Sequence, residues 1–382
     1  MESLAMLEKL RQVNASFPYT EPMRKWKEKG KKVVGWLCNY VPEEIIHAAG
    51  MLPVRLTADS KELEMPDGDA YLHIYSCSFT RSIFQMAREG QFDFIDGFVA
   101  TAMCDGSRRL ADVLDEYKIL PLIYTLGVPR KFGERAEALY RSEILNCKKK
   151  MEAFFSIKIP DEAIKESISV YNRTRQLFRR LYDLRKSSNP PISGAETLEV
   201  LNASVRMDRE EFNQILESLL QELEQRRIPS EGKTRLMIDG SILNNVEFIK
   251  GIEDLGGLIV VDGICNGARY WEGTVKDSSE PISALAQYYL NKFPCPRFDP
   301  PGVRLDKVLD LIKAYQVEGV IYEIIRYCNT HTWDYPILKS QLDENGIPIL
   351  ELDLEYGAGA SGRVKTRVQA FLEMLREKKE AR

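Results

Sequence analysis

The sequence predicts an α/β protein: two doubly wound, Rossmann- or flavodoxin-like parallel-sheet domains with a helical section between them. Strand-like and helix-like runs alternate in the first third of the 382-residue chain and again from residue 234 onward, as parallel sheets require. The residues between these two units are rich in Glu, Arg, Lys, Leu and Ala at helical spacing. We therefore expect an N-terminal α/β domain at 1–132, a helical section at 133–230 and a C-terminal α/β domain at 231–382.

The N-terminal unit contains four apolar, strand-like runs separated by helix-like runs. Pro42 stands where the first helix would begin and Gly50 where it would end, which is the usual placement of both residue types. Gly90 ends the second helical run in the same way. The predicted strands cover residues 31–37, 52–56, 92–101 and 119–126, and the predicted helices cover 42–50, 78–89 and 104–117.

The C-terminal unit repeats this alternation, although no residue-level repeat is visible between the two units. Gly256 and Gly346 each follow a helical run, as helix-ending glycines do. The predicted strands cover residues 234–241, 258–264, 317–328 and 347–355, and the predicted helices cover 244–255, 281–293, 304–316, 335–345 and 363–379. The similar order of elements suggests that one topology occurs twice.

Composition and charge exclude several classes of function. The net charge of −4 gives no attraction to nucleic acid, and no run approaches the roughly 20 apolar residues of a membrane span. The N-terminus shows no long apolar signal core, so we expect a cytoplasmic protein whose seven cysteines are reduced. The chain has no Walker A loop and no GxGxxG motif after its first strand, so it should neither hydrolyse ATP nor bind NAD by those devices.

Cys77, Cys104 and Cys328 each stand where a strand-like run meets a helix-like run. The unpaired N–H groups and partial positive charge of a helix N-terminus stabilise a thiolate. Ligands of open α/β sheets bind beyond the carboxyl ends of the strands, where these cysteines would lie. If the fold gathers them, three thiolates could hold three irons of a [4Fe–4S] cluster and leave the fourth iron open. If it does not, each is a small buried apolar residue, as most free cysteines are.

The other four cysteines have weaker cases as ligands. Cys38 follows the first predicted strand, and Cys265 ends a strand in VDGICNGAR. Cys147 lies inside a helical run and is interpreted as structural. Cys295 lies between two prolines in a loop, and its position indicates no role.

Several long motifs resemble the 2-hydroxyacyl-CoA dehydratase and benzoyl-CoA reductase superfamily, in order from about residue 30 to residue 375. They are VVGWLCNYVPEEIIHAAGMLPVRL, DAYLHIYSCSFTRS, FDFIDGFVATAMCDGSRRL, VDGICNGARY, RYCNTHTWDYP and GRVKTRVQAFLEML. The pair CSFTRS and CDGSRRL is more similar to the dehydratase beta-type subunit, the 2-hydroxyglutaryl-CoA dehydratase D-component, than to the reductase subunits. The resemblance is weakest across residues 133–226.

The resemblance implies a subunit of a radical (R)-2-hydroxyacyl-CoA dehydratase, with a [4Fe–4S] cluster held by Cys77, Cys104 and Cys328. The enzyme would eliminate water to a 2-enoyl-CoA through a ketyl radical, after one-electron activation by an ATP-dependent [4Fe–4S] activator protein. The other implied partners are the acyl-CoA thioester substrate and a homologous second subunit in a heterodimer, or a second copy in a homodimer. Cys38 lies in the segment that lines the substrate in this family, and it is predicted to be catalytic together with Glu44.

Charged and aromatic residues near these cysteines could serve either the site or the fold. Glu43 and Glu44 fall in the first turn of a helix, where the helix dipole favours carboxylates whether or not one acts as a base. Asp105 is expected to cap its helix, and His331 and Trp333 to shape the cluster pocket. The arginines one helical turn past the cluster cysteines could tune the charge of the cluster, hold CoA phosphates, contact the activator or form surface ion pairs; they are Arg81, Arg108 and Arg109.

Four other functions stay open on the sequence alone. The chain could be a subunit of a benzoyl-CoA-type ATP-dependent aromatic reductase, an electron-relay subunit, or a generic α/β ligand binder without iron. A related branch of the superfamily carries an eight-iron double-cubane cluster on additional cysteines. Leu56 stands where that branch would have a cysteine, and no CP-type cysteine occurs between residues 78 and 100, so the sequence argues against a double-cubane-type reductase.

Overall fold

Two four-stranded parallel sheets form the framework of the protein, which confirms the predicted α/β class. The structure is a computed structural model, and it describes residues 4–58, 64–359 and 361–380. The strand order is β2-β1-β3-β4 in the first sheet and β6-β5-β7-β8 in the second, and each pairing is parallel. Numbered from the start of each unit, the two orders are identical, so each unit repeats the topology of the other.

The described residues contain eight strands, and each strand is followed by a helix. The strands are β1 (Val33–Trp36), β2 (Leu52–Arg55), β3 (Gly97–Thr101), β4 (Leu122–Leu126), β5 (Thr234–Gly240), β6 (Gly257–Gly263), β7 (Gly319–Ile325) and β8 (Ile349–Leu354). The helices are α1 (Ala5–Ala15), α2 (Glu21–Glu28), α3 (Glu43–Ala48), α4 (Pro66–Tyr71), α5 (Ser78–Arg88), α6 (Asp105–Glu116), α7 (Glu134–Phe155), α8 (Asp161–Leu184), α9 (Gly194–Ser204), α10 (Arg209–Leu223), α11 (Val246–Asp254), α12 (Ala268–Trp271), α13 (Pro281–Asn291), α14 (Gly302–Ala314), α15 (Asn329–Glu344) and α16 (Gly362–Glu380).

Four predicted boundaries were wrong by three residues or more. One is the start of β4, which was predicted at residue 119 and lies at Leu122. Residues 92–96 form a turn rather than the start of β3, with the Ile95 N–H donating to the Phe92 carbonyl (3.0 Å). Strand β7 ends at Ile325 instead of residue 328, because the chain turns at Tyr327, whose backbone is left-handed (φ 65°). Helix α15 was predicted from residue 335, because Pro336 is typical of a helix start, yet the proline lies inside the helix.

The helical section packs on both sheets. Phe178 of α8 and Phe212 of α10 belong to the apolar core around the second sheet, which also includes Val260. Tyr140 of α7 belongs to the core that covers one face of the first sheet, beside Val99. The section therefore connects the two units, and the domain divisions at residues 132 and 230 stay a prediction.

The sequence patterns did not reveal the helices α1, α2 and α4. Helix α1 packs on α9 and α10 through Leu7 and Leu10, which are buried in the core of the second unit.

Among the residues that the structure describes, no helix is both long and apolar enough to cross a membrane.

Glu323 on β7 makes the stability of this fold depend on pH. The side chain is buried, and its Oε2 has no hydrogen-bond partner among the described residues. Burial raises the pKa of Glu323 to about 8, so the folded state holds a proton that the unfolded chain releases above about pH 4.3. The free energy of unfolding should therefore fall as the pH rises from about 4.3 to about 8.

Replacing this carboxyl with an amide should remove that pH dependence. We expect Glu323→Gln to be more stable than wild type at pH 9, by up to about 4 kcal/mol, and nearly equal to wild type at pH 5. Urea denaturation under anoxic conditions at both pH values measures the difference. Glu344→Gln, on the exposed end of α15, is the matched control and should follow the wild-type curve. Equal pH slopes for wild type and Glu323→Gln would contradict the prediction.

Candidate metal centre

The three cysteines singled out in the sequence are all N-cap residues. Cys77 precedes α5, Cys104 precedes α6 and Cys328 precedes α15. Cys104 follows β3 and Cys328 follows β7, and these two strands hold the same place in their sheets, beside the point where the strand order reverses. The strand-like run expected before Cys77 was wrong, because α4 and an irregular segment precede this residue.

Local contacts fix each cysteine at the start of its helix. The Ser107 N–H donates to the Cys104 sulfur (3.4 Å), in place of the oxygen that an ordinary N-cap would supply. The sulfur of Cys77 lies 3.7 Å from the hydroxyl of Thr80, which donates to the Cys77 carbonyl (2.9 Å). The carbonyl of Cys328 accepts N–H groups from the first turn of α15 (3.0 Å). The helix starts therefore set the positions of the three sulfurs.

One cavity of about 110 Å³ lies between the carboxyl ends of the two sheets, and both units build its wall. Six of the seven cysteines line it: Cys38, Cys77, Cys104, Cys265, Cys295 and Cys328. The other lining residues are Leu37, Arg55, Phe79, Thr80, Met103, Ser107, Ser241, Ile242, Arg269, Ile325, Thr330 and His331. The fold thus brings Cys77, Cys104 and Cys328 together from distant parts of the chain.

The chemistry of these three thiols suits a soft metal. None of them is in a disulfide. Burial raises the pKa of the Cys77 thiol, raises that of Cys104 well above its ordinary value and raises that of Cys328 to about 12. Their protons therefore stay on sulfur unless a metal displaces them. Three sulfur donors on a largely apolar cavity fit a [4Fe–4S] cluster that is held at three corners.

Cys38, Cys265 and Cys295 form a second group on the same cavity. Cys38 interacts electrostatically with Cys265, and Cys295 with both. Burial acts to raise the pKa of Cys265, but the guanidinium groups of Arg55 and Arg269 bring this pKa below its ordinary value. Sequence reasoning left Cys295 without a role, because a loop between two prolines has no periodicity that would place it.

Cys147, interpreted as structural, is buried in α7 and is not among the cavity residues. Its thiol packs in the core on one face of the first sheet. Burial raises the pKa of Cys147 to about 12, as expected for a thiol that serves as a small apolar side chain. This cysteine is therefore a suitable control for any experiment on the other six.

Glu44 lies behind Cys38 rather than on the cavity wall. Its carboxylate is fully buried, accepts a hydrogen bond from the Tyr289 hydroxyl (2.8 Å) and pairs with the guanidinium of Arg175. Glu43 is held in a similar way, by Arg209 (3.0 Å) and by the hydroxyl of Tyr270. Both carboxylates stabilise the turn that carries Cys38, and a catalytic role for Glu44 stays a prediction.

The charged residues in the first turns of α6 are not among the residues that line the cavity. Asp105 is the first residue of the helix and does not cap it, because Cys104 does. The carboxylate of Asp105 is exposed and pairs with Arg109 (3.6 Å), which also pairs with Asp112 (2.9 Å). Arg108 is exposed as well. The surface ion-pair interpretation is therefore the one that fits Arg109.

His331 lines the cavity and Trp333 does not, although the two are neighbours in α15. The His331 ring is buried, and its Nδ1 lies 2.8 Å from the Tyr322 hydroxyl. Burial holds the pKa of His331 well below its ordinary value, so the ring is neutral. Trp333 is 78% exposed.

Arg81 of α5 is buried and donates to the carbonyl of Ser76 (3.0 Å), the residue just before Cys77.

Two arginines on the cavity wall were not predicted from the sequence. Arg55 is the last residue of β2, and Arg269 lies in α12, directly after β6. A signal for Arg55 was present, since a charged residue that ends an otherwise apolar strand points to the ligand edge of the sheet. Arg269 is part of the VDGICNGARY motif, but its spacing from Cys265 did not indicate that its side chain would line the cavity.

The sequence is similar to known dehydratase and reductase subunits along most of its length. A family model described as "2-hydroxyglutaryl-CoA dehydratase, D-component" matches residues 38–375. A putative dehydratase subunit YjiM of Escherichia coli is 28% identical, over 91% of this chain and 93% of the relative. One of the benzoyl-CoA reductase subunits of Thauera aromatica is 26% identical, over 92% of this chain and 94% of the relative.

A dehydratase subunit gives a similar match over nearly the full length. The beta subunit of (R)-2-hydroxyglutaryl-CoA dehydratase from Acidaminococcus fermentans is 26% identical, over 97% of this chain and 99% of the relative. The family match includes every residue of the cavity wall except Leu37, which precedes the matched range by one position. The chain therefore belongs to the 2-hydroxyglutaryl-CoA dehydratase D-component family.

Proposed function

We propose that this chain is the [4Fe–4S]-containing subunit of a radical (R)-2-hydroxyacyl-CoA dehydratase. One observation carries the proposal: Cys77, Cys104 and Cys328 cap three different helices and line one cavity between the two units. These three residues would hold the cluster. Bound there, a cluster would supply low-potential one-electron chemistry and one iron that no cysteine occupies.

The reaction needs an electron because the β-proton of a 2-hydroxyacyl-CoA is not acidic. The substrate loses its 2-hydroxyl group and one β-proton, which together leave as water, and becomes a 2-enoyl-CoA. One electron enters from a reduced, ATP-dependent [4Fe–4S] activator protein and converts the thioester to a ketyl radical. After the elimination the electron leaves the product and is recycled for the next turnover. The net reaction is therefore redox-neutral.

The residues of this chain would hold the acyl group and exclude water during the elimination. Leu37, Phe79, Ile242 and Ile325 provide apolar wall from both units. The neutral ring of His331 lies at the same wall. Low polarity strengthens each electrostatic interaction within the cavity. A homologous second subunit, or a second copy of this chain, would complete the enzyme in the cytoplasm.

Reconstitution with the partners tests the proposal. Under strict anoxia the chain should contain about four irons and four sulfides. With the second subunit, a reduced activator and ATP, it should dehydrate at least one member of a panel of (R)-2-hydroxyacyl-CoA thioesters. Omission of the activator should abolish the activity. Absence of iron, or ATP-dependent reduction of an aromatic acyl-CoA without any dehydration, would overturn the proposal.

A double-cubane-type reductase is the second candidate, favoured by one observation. Cys38, Cys265 and Cys295 line the same cavity as the first three cysteines, so six thiols are available where a single [4Fe–4S] cluster needs three. Leu56 remains the departure that argues against this branch. The iron content separates the two candidates: about eight irons per chain, reduced by about half in Cys265→Ala, would favour the larger cluster.

A further inference from the structure

Two buried arginines face the cysteine cavity from equivalent places in the two units. Arg55 ends β2, and Arg269 follows β6. Strands β2 and β6 occupy the same edge position in their sheets. Both side chains line the cavity and are nearly inaccessible to solvent, with 2% and 3% of their surface exposed.

Neither guanidinium forms an ion pair with a carboxylate of the described residues. Arg55 donates to the Asn39 side-chain oxygen (2.9 Å) and to the Cys265 sulfur (3.2 Å). Arg269 donates to the carbonyl of Gly240. The Nε of each arginine is buried without a hydrogen-bond partner in the part of the chain that the structure describes.

Other buried arginines of the protein are paired differently. Arg175, Arg209 and Arg304 each form an ion pair with a buried carboxylate. A buried charge without a partner costs several kcal/mol, so such pairing is the rule. Arg55 and Arg269 depart from this rule at the one place where six thiols and an apolar wall surround a cavity.

The charges around the cavity leave an excess of positive charge. The two guanidinium groups act on one thiol, Cys265, whose pKa they lower. Lys292 lies nearby and donates to the Asn39 carbonyl (2.8 Å), but burial lowers the pKa of Lys292 to about 7, so it need not carry charge. Asp239, which pairs with Arg304, also acts on Arg269. Within the second group of cysteines, two permanent cations therefore face at most one thiolate, and negative charge on a ligand would be stabilised there.

We propose that Arg55 and Arg269 bind the thioester oxygen of the acyl-CoA and stabilise the negative charge that develops on it. The inference rests on the proposed function, in which the thioester gains an electron. N–H donors that are fixed before the reaction stabilise such an oxygen most strongly in a cavity without water. The guanidinium groups of Arg55 and Arg269, which line the cavity from buried positions, are donors of this kind.

Two stable CoA thioethers separate the contribution of charge from that of CoA binding. Carboxymethyl-CoA carries a carboxylate one bond beyond the position of the thioester oxygen, within reach of the same donors, and ethyl-CoA carries no oxygen in this region. Calorimetric titration under anoxia should show that the wild-type protein, assembled with its second subunit, binds carboxymethyl-CoA about tenfold or more tightly than ethyl-CoA, because hydrogen bonds between charged groups contribute ~1.5–3 kcal/mol.

Arg269→Met and Arg55→Met should lose most of this preference, while the affinity for ethyl-CoA and the iron content stay at the wild-type level. Arg269→Lys should keep part of it, because the charge remains. Arg109→Met, on the exposed face of α6, removes the same charge far from the cavity wall and should behave as wild type.

Four results would overturn the inference. A preference that is unchanged in both methionine variants would mean that the arginines do not touch the oxygen. A loss of iron in both would mean that they stabilise the thiolates instead. Wild-type protein that prefers neither ligand would remove the inference but leave the proposed function intact. Protein without iron that binds no CoA ligand would remove both.

Discussion

Replacing Cys104 with alanine should remove most of the iron and sulfide from the protein. The wild-type chain is expected to hold about four of each, and the variant should hold less than about one. Cys104 is the cysteine whose environment depends most on the other two, since Cys77 and Cys328 both act on its pKa. With only two thiolates left, the cluster would have no third corner to fix it in the cavity.

Iron, acid-labile sulfide and the visible absorption of anaerobically purified protein measure this effect without any activity assay. Cys147→Ala is the matched control, because it removes a buried thiol that does not line the cavity, and its iron content should equal that of wild type. Both variants should keep the far-ultraviolet circular dichroism of the wild type. Full iron content in Cys104→Ala would contradict the ligand assignment.

The same series of variants separates the two groups of cysteines. If one [4Fe–4S] cluster is present, Cys265→Ala and Cys295→Ala should retain their iron, whereas Cys77→Ala and Cys328→Ala should lose it. Loss of iron in all four would show that six thiols act together. Cys295 lies close enough to Cys38 and Cys265 for the three thiols to influence one another. Comparing the iron content of these variants therefore tests how many irons the cavity holds.

The sequence was sufficient for the sheets and for four of the six cavity cysteines, Cys38, Cys77, Cys104 and Cys328. Buried strands followed by helix-starting residues predict a parallel sheet, and the order of motifs then places Cys104 and Cys328 at its carboxyl edge. The limits of the elements were harder, because an apolar run does not show where pairing stops. Strand β7 ends at Ile325, where Tyr327 adopts a left-handed conformation (φ 65°).

The rest of the site depends on how the two units meet, which no local pattern records. Arg55 and Arg269 are 214 positions apart in the sequence and line one cavity only because the two units meet there. Cys295 joins them from a loop. Glu44 shows the opposite case: the helix start after Cys38 was predicted, but the side chain turns to Arg175 and Tyr289 instead of the cavity.

Removing the guanidinium of Arg304 should be among the most destabilising single changes in the second unit. Arg304 of α14 pairs with Asp239 of β5 (2.7 Å) and with Asp334 of α15 (3.0 Å), and all three side chains are buried. Arg304→Met would leave two carboxylates without their cation. Breaking a buried pair in this way costs about 3–5 kcal/mol. Helix α15 is also the helix capped by Cys328, one of the three proposed cluster ligands.

The deficit of Arg304→Met should depend on pH in a defined direction. Burial already raises the pKa of Asp334 in the presence of Arg304, and loss of the cation would raise it further. A carboxyl whose folded pKa lies above its unfolded value binds an extra proton in the folded state, so stability is lost as the pH rises. The difference in free energy of unfolding between wild type and Arg304→Met should therefore be larger at pH 8 than at pH 5.

The charge explanation can be separated from a loss of packing by a compensated variant. The triple variant Arg304→Met, Asp239→Asn, Asp334→Asn replaces both carboxylates that Arg304 pairs with. Its unfolding should therefore show little of the additional pH dependence of the single variant. Urea denaturation followed by circular dichroism at pH 5 and pH 8 compares all three proteins. If the triple and single variants lose the same free energy at both pH values, packing rather than uncompensated charge holds α14, β5 and α15 together.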